Sequence, residues 1–527
     1  MMKTLRKQSN RLGVVLLLLA ASFGFTSCES ELDLEPVIEQ TASNVFDDPA
    51  AYEQFLARIY AGFVVSGQQG PAGNPDITGI DEGFSNYLRQ YWKHQQLTTD
   101  EALIAWNDGT IHDLNWQVWT PANEFVTAMY NRIFFQISIS NEFLRSTADV
   151  PESEFLPAAY KAEVRFLRAL SYWHAIDMFG NVPFVTDADP IGAFLPVQGS
   201  RQEIFDFLIS ELTTIEPIMV GARQNVYGRA DRAAVWMLLA KLYLNAEVYT
   251  GTDQSGQAIP YLENIINAGY TLHDNYDELF LADNDTNGAQ NEFIFTLNSD
   301  GLNTQGFGAM TFLVHAPVGG NMSAAEFGIN GGWGGIRTTK ALVNQYTATE
   351  LVTDERANFF TDGQELEIAD VFNFNDGYAV VKFKNVTSEG VVGSDAGGDF
   401  IDTDFPMFRL ADAYLMYAEA VQRSGQGDQG LAVQYVNMVR QRSNAAPIGG
   451  FSDITDAFLL AERSRELHWE CHRRTDLIRF GQFSDQGVWP WKGNVEGGTT
   501  TESFRDLFPI PATDITANPN LTQNPGY

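Results

Sequence analysis

Two long segments with apolar residues at helical spacing constrain the fold of this 527-residue chain more than any other feature. In residues 160–179, bulky side chains such as Phe166 and Leu170 recur every three to four positions and therefore share one helix face. A Gly-Asn-Val-Pro sequence follows and predicts the end of that helix. In residues 229–248, alanines alternate with large residues, which favours close packing of helices. The two segments predict a scaffold of packed helices.

Further helical patterns surround these two segments. They cover residues 44–65, 120–147, 201–216 and 458–480. Residues 408–423 and 431–442 flank a Gly-rich turn and predict a helical hairpin, the unit of tetratricopeptide-type arrays. No strict repeat period is visible. The predicted fold is therefore mainly α, a tetratricopeptide-like scaffold of helical hairpins.

A loop-rich insert is predicted at about residues 284–400, which are rich in Gly, Asn, Asp and Thr. Short strand-like pieces occur in it, such as residues 293–297 and 378–383. Binding residues often lie on such loops. We interpret residues 44–527 as a single domain, in which the helical scaffold carries this partly β insert.

The N-terminus predicts a secreted lipoprotein. A basic head and a short apolar run at residues 14–21 precede small residues and Cys28. We interpret residues 1–27 as a signal peptide, Cys28 as the lipidated residue and residues 28–43 as a flexible tether. The alternative is an ordinary signal peptide with an incidental cysteine. Lipidation would hold the mature protein on a membrane surface without a membrane-spanning segment.

The charge of the chain argues against a nucleic-acid partner. The sequence has 33 Lys and Arg against 67 Asp and Glu, a formal charge of −34, and phosphate binding needs the opposite sign. With Cys28 lipidated, Cys471 has no cysteine to pair with, so the core must hold the fold.

Common catalytic motifs are absent, including the Ser-hydrolase elbow, the HExxH zinc motif and the P-loop. The charged segment 462–479 has two interpretations. In the first, Glu466 or Glu470 is an acid or base beside His468 or His472; in the second, the segment is a structural helix with salt bridges at helical spacing. The second is favoured.

Two smaller patterns remain open on the residues alone. Asp283 and Asp285 begin a sequence that resembles a calcium-binding loop but lacks the final glutamate of that loop. A second pair, Asp402 and Asp404, could supply the missing oxygen ligands. The alternative is that the first sequence forms an Asx-rich turn without a metal ion. Three aromatic residues lie on loops rich in glycine or turn residues, where each ring is either exposed for binding or buried in the core. They are Trp106, Phe307 and Trp333.

The chain resembles the SusD/RagB family of outer-membrane lipoproteins from Bacteroidetes, and within it the starch-binding member. The resemblance covers nearly the whole chain. It is carried by residues 162–173, 179–184, 228–251, 278–285, 402–420, 462–481 and 508–527, together with Cys28 and its acidic tail.

The resemblance implies a surface-exposed outer-membrane lipoprotein that binds starch or maltooligosaccharides and does not cleave them. A TonB-dependent transporter of the SusC type is the implied partner. An aromatic arc would stack on the glucan, and polar groups beside it would bond the hydroxyls. The implied glycan-binding residues are Arg89, Trp106, Asn107, Phe307 and Trp333. A structural Ca²⁺ ion is implied at Asp283, Asp285, Asp402 and Asp404.

The chain departs from the family pattern at four positions. Ile104 replaces a second tryptophan, Gly109 a glycan-bonding asparagine, and Phe307 a tyrosine; Cys471 stands where glycine is usual. Three alternatives remain open: a binder of another glycan or of peptide, a helical lipoprotein glycosidase, and a purely structural subunit of the transporter.

Overall fold

The computed structural model of the protein describes residues 49–190, 192, 194–348, 351 and 353–527. The predicted signal peptide, the lipidated Cys28 and the tether lie outside the described residues, and these predictions stay predictions. Tyr52–Tyr527 forms one compact unit. Within the described part of the chain, no helix is long and apolar enough to cross a membrane.

Helices make up most of the regular structure, as predicted. In the described residues the α-helices are α1 (Ala51–Ala61), α2 (Tyr87–Trp92), α3 (His112–Trp116), α4 (Glu124–Ser146), α5 (Ala158–Phe179), α6 (Arg201–Ile215), α7 (Arg232–Leu244), α8 (Ala246–Thr250), α9 (Ala258–Ile266), α10 (Ala309–His315), α11 (Lys340–Val343), α12 (Leu410–Ser424), α13 (Gln429–Arg442), α14 (Asp456–Leu467), α15 (Arg473–Arg479) and α16 (Ala512–Ala517). A π-helical turn, Lys93–Leu97, continues α2.

The strands are short and pair two by two, all antiparallel. They are β1 (Leu103–Ile104) with β5 (Ile336–Arg337), β2 (Val182–Pro183) with β3 (Gln198–Gly199), β4 (Phe293–Leu297) with β8 (Phe405–Arg409), and β6 (Phe359–Phe360) with β7 (Ala379–Val380). Strands of the predicted insert thus pair with strands on either side of it, so the loop-rich region is tied to the scaffold at two places.

Local signals explain where the long helices begin and end. The Asp231 carboxylate accepts hydrogen bonds from the first-turn amides of α7, and Ser200 forms a capping box with Glu203 at the start of α6. Helices α5 and α12 stop at Gly180 and Gly425, whose φ values of 70° and 68° suit glycine.

The core is centred on α5 and α12. All residues of α5 from Ala162 to Phe179 are buried except Arg165, and α12 is buried from Leu410 to Val421. Helix α5 packs against α4 and α6, while α12 packs against α9 and α13. The predicted hairpin of residues 408–442 is therefore confirmed as α12 and α13.

Three predicted elements differ from the structure. The helical segment predicted over 229–248 is divided at Asn245 into α7 and α8. The helix predicted over residues 458–480 is interrupted between α14 and α15, where Trp469 and Cys471 each have a φ of 66° that a continuous helix cannot contain. The strand predicted over 378–383 is shortened to β7, because only two of its residues pair with β6.

Candidate functional site

The pairing of β1 with β5 brings two distant tryptophans together. Leu103 lies opposite Arg337 and Ile104 opposite Ile336. The ladder continues through a hydrogen bond of 2.7 Å from the Ala105 amide to the Gly335 carbonyl. Trp106 lies two residues after β1 and Trp333 three residues before β5, so this short ladder brings both side chains to one edge.

Trp106 and Trp333 form an inclined, half-buried pair. Their ring centroids are 6.2 Å apart, with an angle of 46° between the planes. The Trp106 Nε1 donates a hydrogen bond of 3.0 Å to the Trp333 carbonyl. A Cβ atom at Gly335 would lie 2.3 Å from the Trp106 ring, so glycine is needed for this approach. The indole of Trp106 is thereby fixed before any ligand arrives.

Helix α10 supports the pair from behind. The His315 ring stacks on Trp333 at 4.8 Å with an interplanar angle of 22°, and the Phe312 ring lies 6.2 Å from Trp106. The His315 carbonyl accepts a hydrogen bond of 2.9 Å from the Trp333 amide. Trp333 is therefore held through both its ring and its backbone, although four glycines flank it.

Arg89 connects the tryptophan pair to Phe307. Its guanidinium carbon lies 5.9 Å from the Trp106 ring centroid and 4.4 Å from that of Phe312, and its Nη1 donates a hydrogen bond of 2.9 Å to the Phe307 carbonyl. Burial lowers the pKa of Arg89 to about 9, against the opposing effect of nearby carboxylates. Arg89 thus supports the rings from below; its predicted hydrogen bonds to glycan hydroxyls stay a prediction.

Phe307 is the third predicted ring and is half-buried. It lies 5.7 Å from the ring of Phe400, at an angle of 44°. Its amide donates a hydrogen bond of 3.3 Å to Glu82 Oε2. Asn107 is exposed beside Trp106. Through Arg89, the structure gathers four of the five predicted residues around one cluster, with Asn107 next in sequence to one of them.

Two departures from the family pattern have a structural explanation. Ile104 is fully buried in β1, opposite Ile336, so this position serves the core and not a surface. Gly109 has a φ of 44°, and a Cβ atom there would lie 1.6 Å from Glu124 Oε1. An asparagine at position 109 would require Glu124 to move.

Sequence reasoning missed the supporting residues Phe312, His315 and Phe400. Each is joined to the predicted rings by contacts between segments far apart in the chain. The spacing of Phe312 and His315 on one helical turn was a usable signal, since residues three apart share a helix face. Nothing in the sequence around Phe400 pointed to Phe307.

The starch-binding protein SusD of Bacteroides thetaiotaomicron is 35% identical over 97% of this chain and 98% of its own length. The chain belongs to the SusD family. The SusD family model matches residues 352–527. The SusD-like protein P25 of Formosa agariphila is 26% identical over 69% of this chain and 73% of its own.

Solved structures show the same fold for this SusD-family chain. A SusD-like carbohydrate-binding protein of Bacteroides fragilis gives a TM-score of 0.72 at 19% identity, covering 91% of this chain and 100% of its own. Surface glycan-binding protein A of B. thetaiotaomicron, in complex with laminarihexaose, gives 0.68 at 19% identity, covering 90% and 98%. The predicted mainly α fold is confirmed.

The four aspartates of the predicted calcium site bind protein donors. The Asp283 carboxylate accepts hydrogen bonds from the backbone and hydroxyl of Ser388, while Asp402 accepts from Gly301 and Ser394. Burial raises the pKa of Asp404 to about 7.

No group of three or more acidic, histidine or cysteine side chains in the described residues is placed to hold a metal ion. As arranged, these residues do not fit a formed calcium site, since hard cations need six or more oxygen ligands. Calcium binding stays a prediction and would require the carboxylates to release protein donors.

The charged segment 462–479 is structural, as favoured. Glu466 lies within ion-pair distance of Arg409, at 2.5 Å, of Arg356, at 3.1 Å, and of Arg442. Glu470 pairs with Arg409 at 2.6 Å. Burial lowers the pKa of both His468 and His472, so neither imidazole is charged near neutral pH. The segment is buried, so the carboxylates hold helices together.

Proposed function

We propose that this protein captures starch or maltooligosaccharides without cleaving them. The inclined, half-buried pair of Trp106 and Trp333 carries the proposal. Aromatic faces fixed in advance offer stacking surfaces to the apolar CH faces of sugars at little cost in conformational entropy. The angle of 46° between the planes suits a curved α-1,4-glucan better than a flat ribbon.

The relative with the name "starch-binding protein SusD" supports this choice of ligand, at 35% identity over nearly the full length. The site departs from that of the family at Ile104, Gly109 and Phe307. We therefore place the binding energy on the stacking rings and assign hydrogen bonds to glucan hydroxyls to the exposed Asn107. Arg89, which is buried, would act by holding the rings in place. Affinity should be modest, because an open site keeps much of its water.

Calorimetry with maltoheptaose and Trp333→Ala tests the proposal. We expect the affinity to fall roughly tenfold or more, since about 1.4 kcal/mol corresponds to each factor of ten. The matched control is Trp333→Phe, which keeps a ring and should keep most of the affinity. Undiminished binding by Trp333→Ala, with a thermal melt like that of the wild type, would contradict the proposal.

A second candidate is a ligand other than starch. The structural neighbour solved with laminarihexaose, a β-glucan, shares the fold of this chain. A panel of maltoheptaose, laminarihexaose and cellohexaose separates the candidates by affinity. We expect maltoheptaose to bind most tightly.

We further propose that Cys28 anchors the protein on the outer face of the outer membrane and that a SusC-like TonB-dependent transporter receives the glycan. Cys28→Ala should release the protein from the membrane fraction, and purification of the membrane-bound wild type should bring the transporter with it. A reducing-sugar assay on starch should show no release of sugars; sustained release would favour a glycosidase.

A further inference from the structure

An additional aromatic residue is exposed close to the candidate site. Phe372 belongs to the segment 370–376, between β6 and β7, and is 51% exposed. Exposed phenylalanine rings are costly to solvate, and they often mark a binding surface when they lie beside other rings.

The segment is held from beneath by Arg337 of β5. The buried guanidinium donates hydrogen bonds of 2.6 Å to the carbonyls of Asp376 and Val371, on both sides of Phe372. Val371 is buried in a cluster with Leu103 of β1. Because both ends of the segment are fixed, the exposure of Phe372 is a property of an ordered turn.

The same ladder therefore supports the tryptophan pair and Phe372. Arg337 and Leu103 are direct partners in the pairing of β1 with β5, which also positions Trp106 and Trp333. Two residues further on, the Phe374 ring lies against Gly319, where a Cβ atom would be 2.8 Å from the ring and from the Gly334 backbone. Gly334 directly follows Trp333, so the segment is continuous with the tryptophan site.

The buried ring of His112 lies against Phe372, and the half-buried ring of Trp116 lies against His112. The His112 ring meets the Phe372 ring edge to face at 5.0 Å and stacks on Trp116 at 5.0 Å with an angle of 21°. His112 is only 5% exposed, and burial lowers its pKa against the opposing effect of the nearby Trp106 carbonyl. Trp116 Nε1 has no hydrogen-bond partner among the described residues. A buried N–H without a protein partner is costly, and an ordered water is its usual partner.

We propose that Phe372, backed by His112 and Trp116, is a further stacking platform that continues the tryptophan site along a longer α-glucan. This inference rests on the proposed function. The occupant is the same glucan chain that lies on Trp106 and Trp333, because the surface is continuous with that pair. The platform extends the surface beyond the tryptophan pair, so a long glucan should gain more from it than a trisaccharide that occupies the pair.

Phe372→Ala tests the platform with a short and a long ligand. We expect the dissociation constant for amylose, measured by native affinity electrophoresis, to rise roughly fivefold, a typical effect of one aromatic contact. The dissociation constant for maltotriose, measured by calorimetry, should stay within about twofold of the wild-type value, because maltotriose would not contact Phe372. Phe372→Tyr keeps the ring and should retain amylose binding.

Phe155→Ala is the matched control, since Phe155 is 50% exposed on the loop before α5. It should change neither constant. If Phe372→Ala binds amylose like the wild type while Trp333→Ala does not, the platform is wrong and the proposed function stands. Equal loss of maltotriose binding in Phe372→Ala would also overturn it, by placing Phe372 in the primary site. If the wild type binds neither ligand, the proposed function itself fails.

Discussion

The buried ion network of α14 and α15 and the aromatic site beside β1 and β5 use opposite chemistry. In the first region, almost every charged group meets an opposite charge, and Glu466 alone meets three arginines. In the second, half-buried rings face outward, and Arg89 touches rings rather than carboxylates. The region that looks more reactive in the sequence is the one whose carboxylates are already paired with arginines.

Groups that hold the fold and groups that bind ligands differ in whether the protein already supplies their interaction partners. A carboxylate already bonded to three guanidinium groups has little capacity for a ligand, and its role is to hold helices in register. A fixed aromatic face has no strong protein partner to replace. Substitutions in the ion network should therefore change stability without changing affinity, and those on the rings should do the reverse.

Glu466→Gln should produce the largest effect. Removing this charge leaves three buried arginines short of a partner, so we expect the free energy of unfolding to fall by about 3–5 kcal/mol. Denaturant titration measures it. Below the unfolding transition, the affinity for maltoheptaose should be unchanged. Glu367→Gln is the matched control, because its pair with Lys340 is exposed; it should cost less than about 1 kcal/mol. A lost affinity in folded Glu466→Gln would break the comparison.

The pH dependence of stability should be the next largest effect. Despite burial, which raises it, neighbouring arginines lower the pKa of Glu462 from 4.5 to about 2. The folded state therefore favours the charged form. The stabilisation is present above pH 4.5 and is lost as the pH falls towards about 2.

By linkage, Glu462 alone contributes about 3 kcal/mol at neutral pH. Thermal melts between pH 7 and pH 2.5 should show a steep fall in Tm below pH 4.5. The Glu462→Gln variant should be less stable than the wild type at pH 7, and its Tm should change less between pH 7 and pH 2.5. A Tm that does not change down to pH 3 would contradict this assignment.

The smallest effect concerns Cys471, where the family usually has glycine. Its φ of 66° favours glycine, yet its side chain is buried. Cys471→Gly removes strain and a small packed side chain, so the two changes should nearly cancel. Cys471→Ala keeps the strain and loses packing, and should be less stable than Cys471→Gly by about 1 kcal/mol. Denaturant titration of both variants measures their free energies of unfolding. If Cys471→Ala were the more stable variant, backbone strain at this position would be contradicted.

Local patterns in the sequence predicted most of the helices. The segment 160–179 carries a periodic apolar face and a Gly-Asn stop, and α5 ends at Phe179. The single helix predicted over residues 458–480 was wrong, because its alternating charges gave no sign of the left-handed residues Trp469 and Cys471.

The candidate site was predicted in part. Loop composition drew attention to Trp106, Phe307 and Trp333, and the family resemblance grouped them with Arg89. The spacing of Phe312 and His315 showed that they share a helix face, but not which ring they would meet. Phe400 could not be predicted, because its contact with Phe307 depends on which distant segments the fold brings together. Segments without a local pattern of their own, such as that of Phe372, carry no signal until the chain is folded.

The pairing of β1 with β5 has a consequence for the order of folding. Trp106 and Trp333 are 227 positions apart, and helices α3 to α10 lie between them in the chain. Closing so long a loop costs more entropy than joining neighbouring helices, so hairpins such as α12 and α13 can form before this ladder does. The binding surface is then among the last parts to assemble. A chain that has formed its helices but not yet this ladder would lack the surface on which we propose that glucan binds.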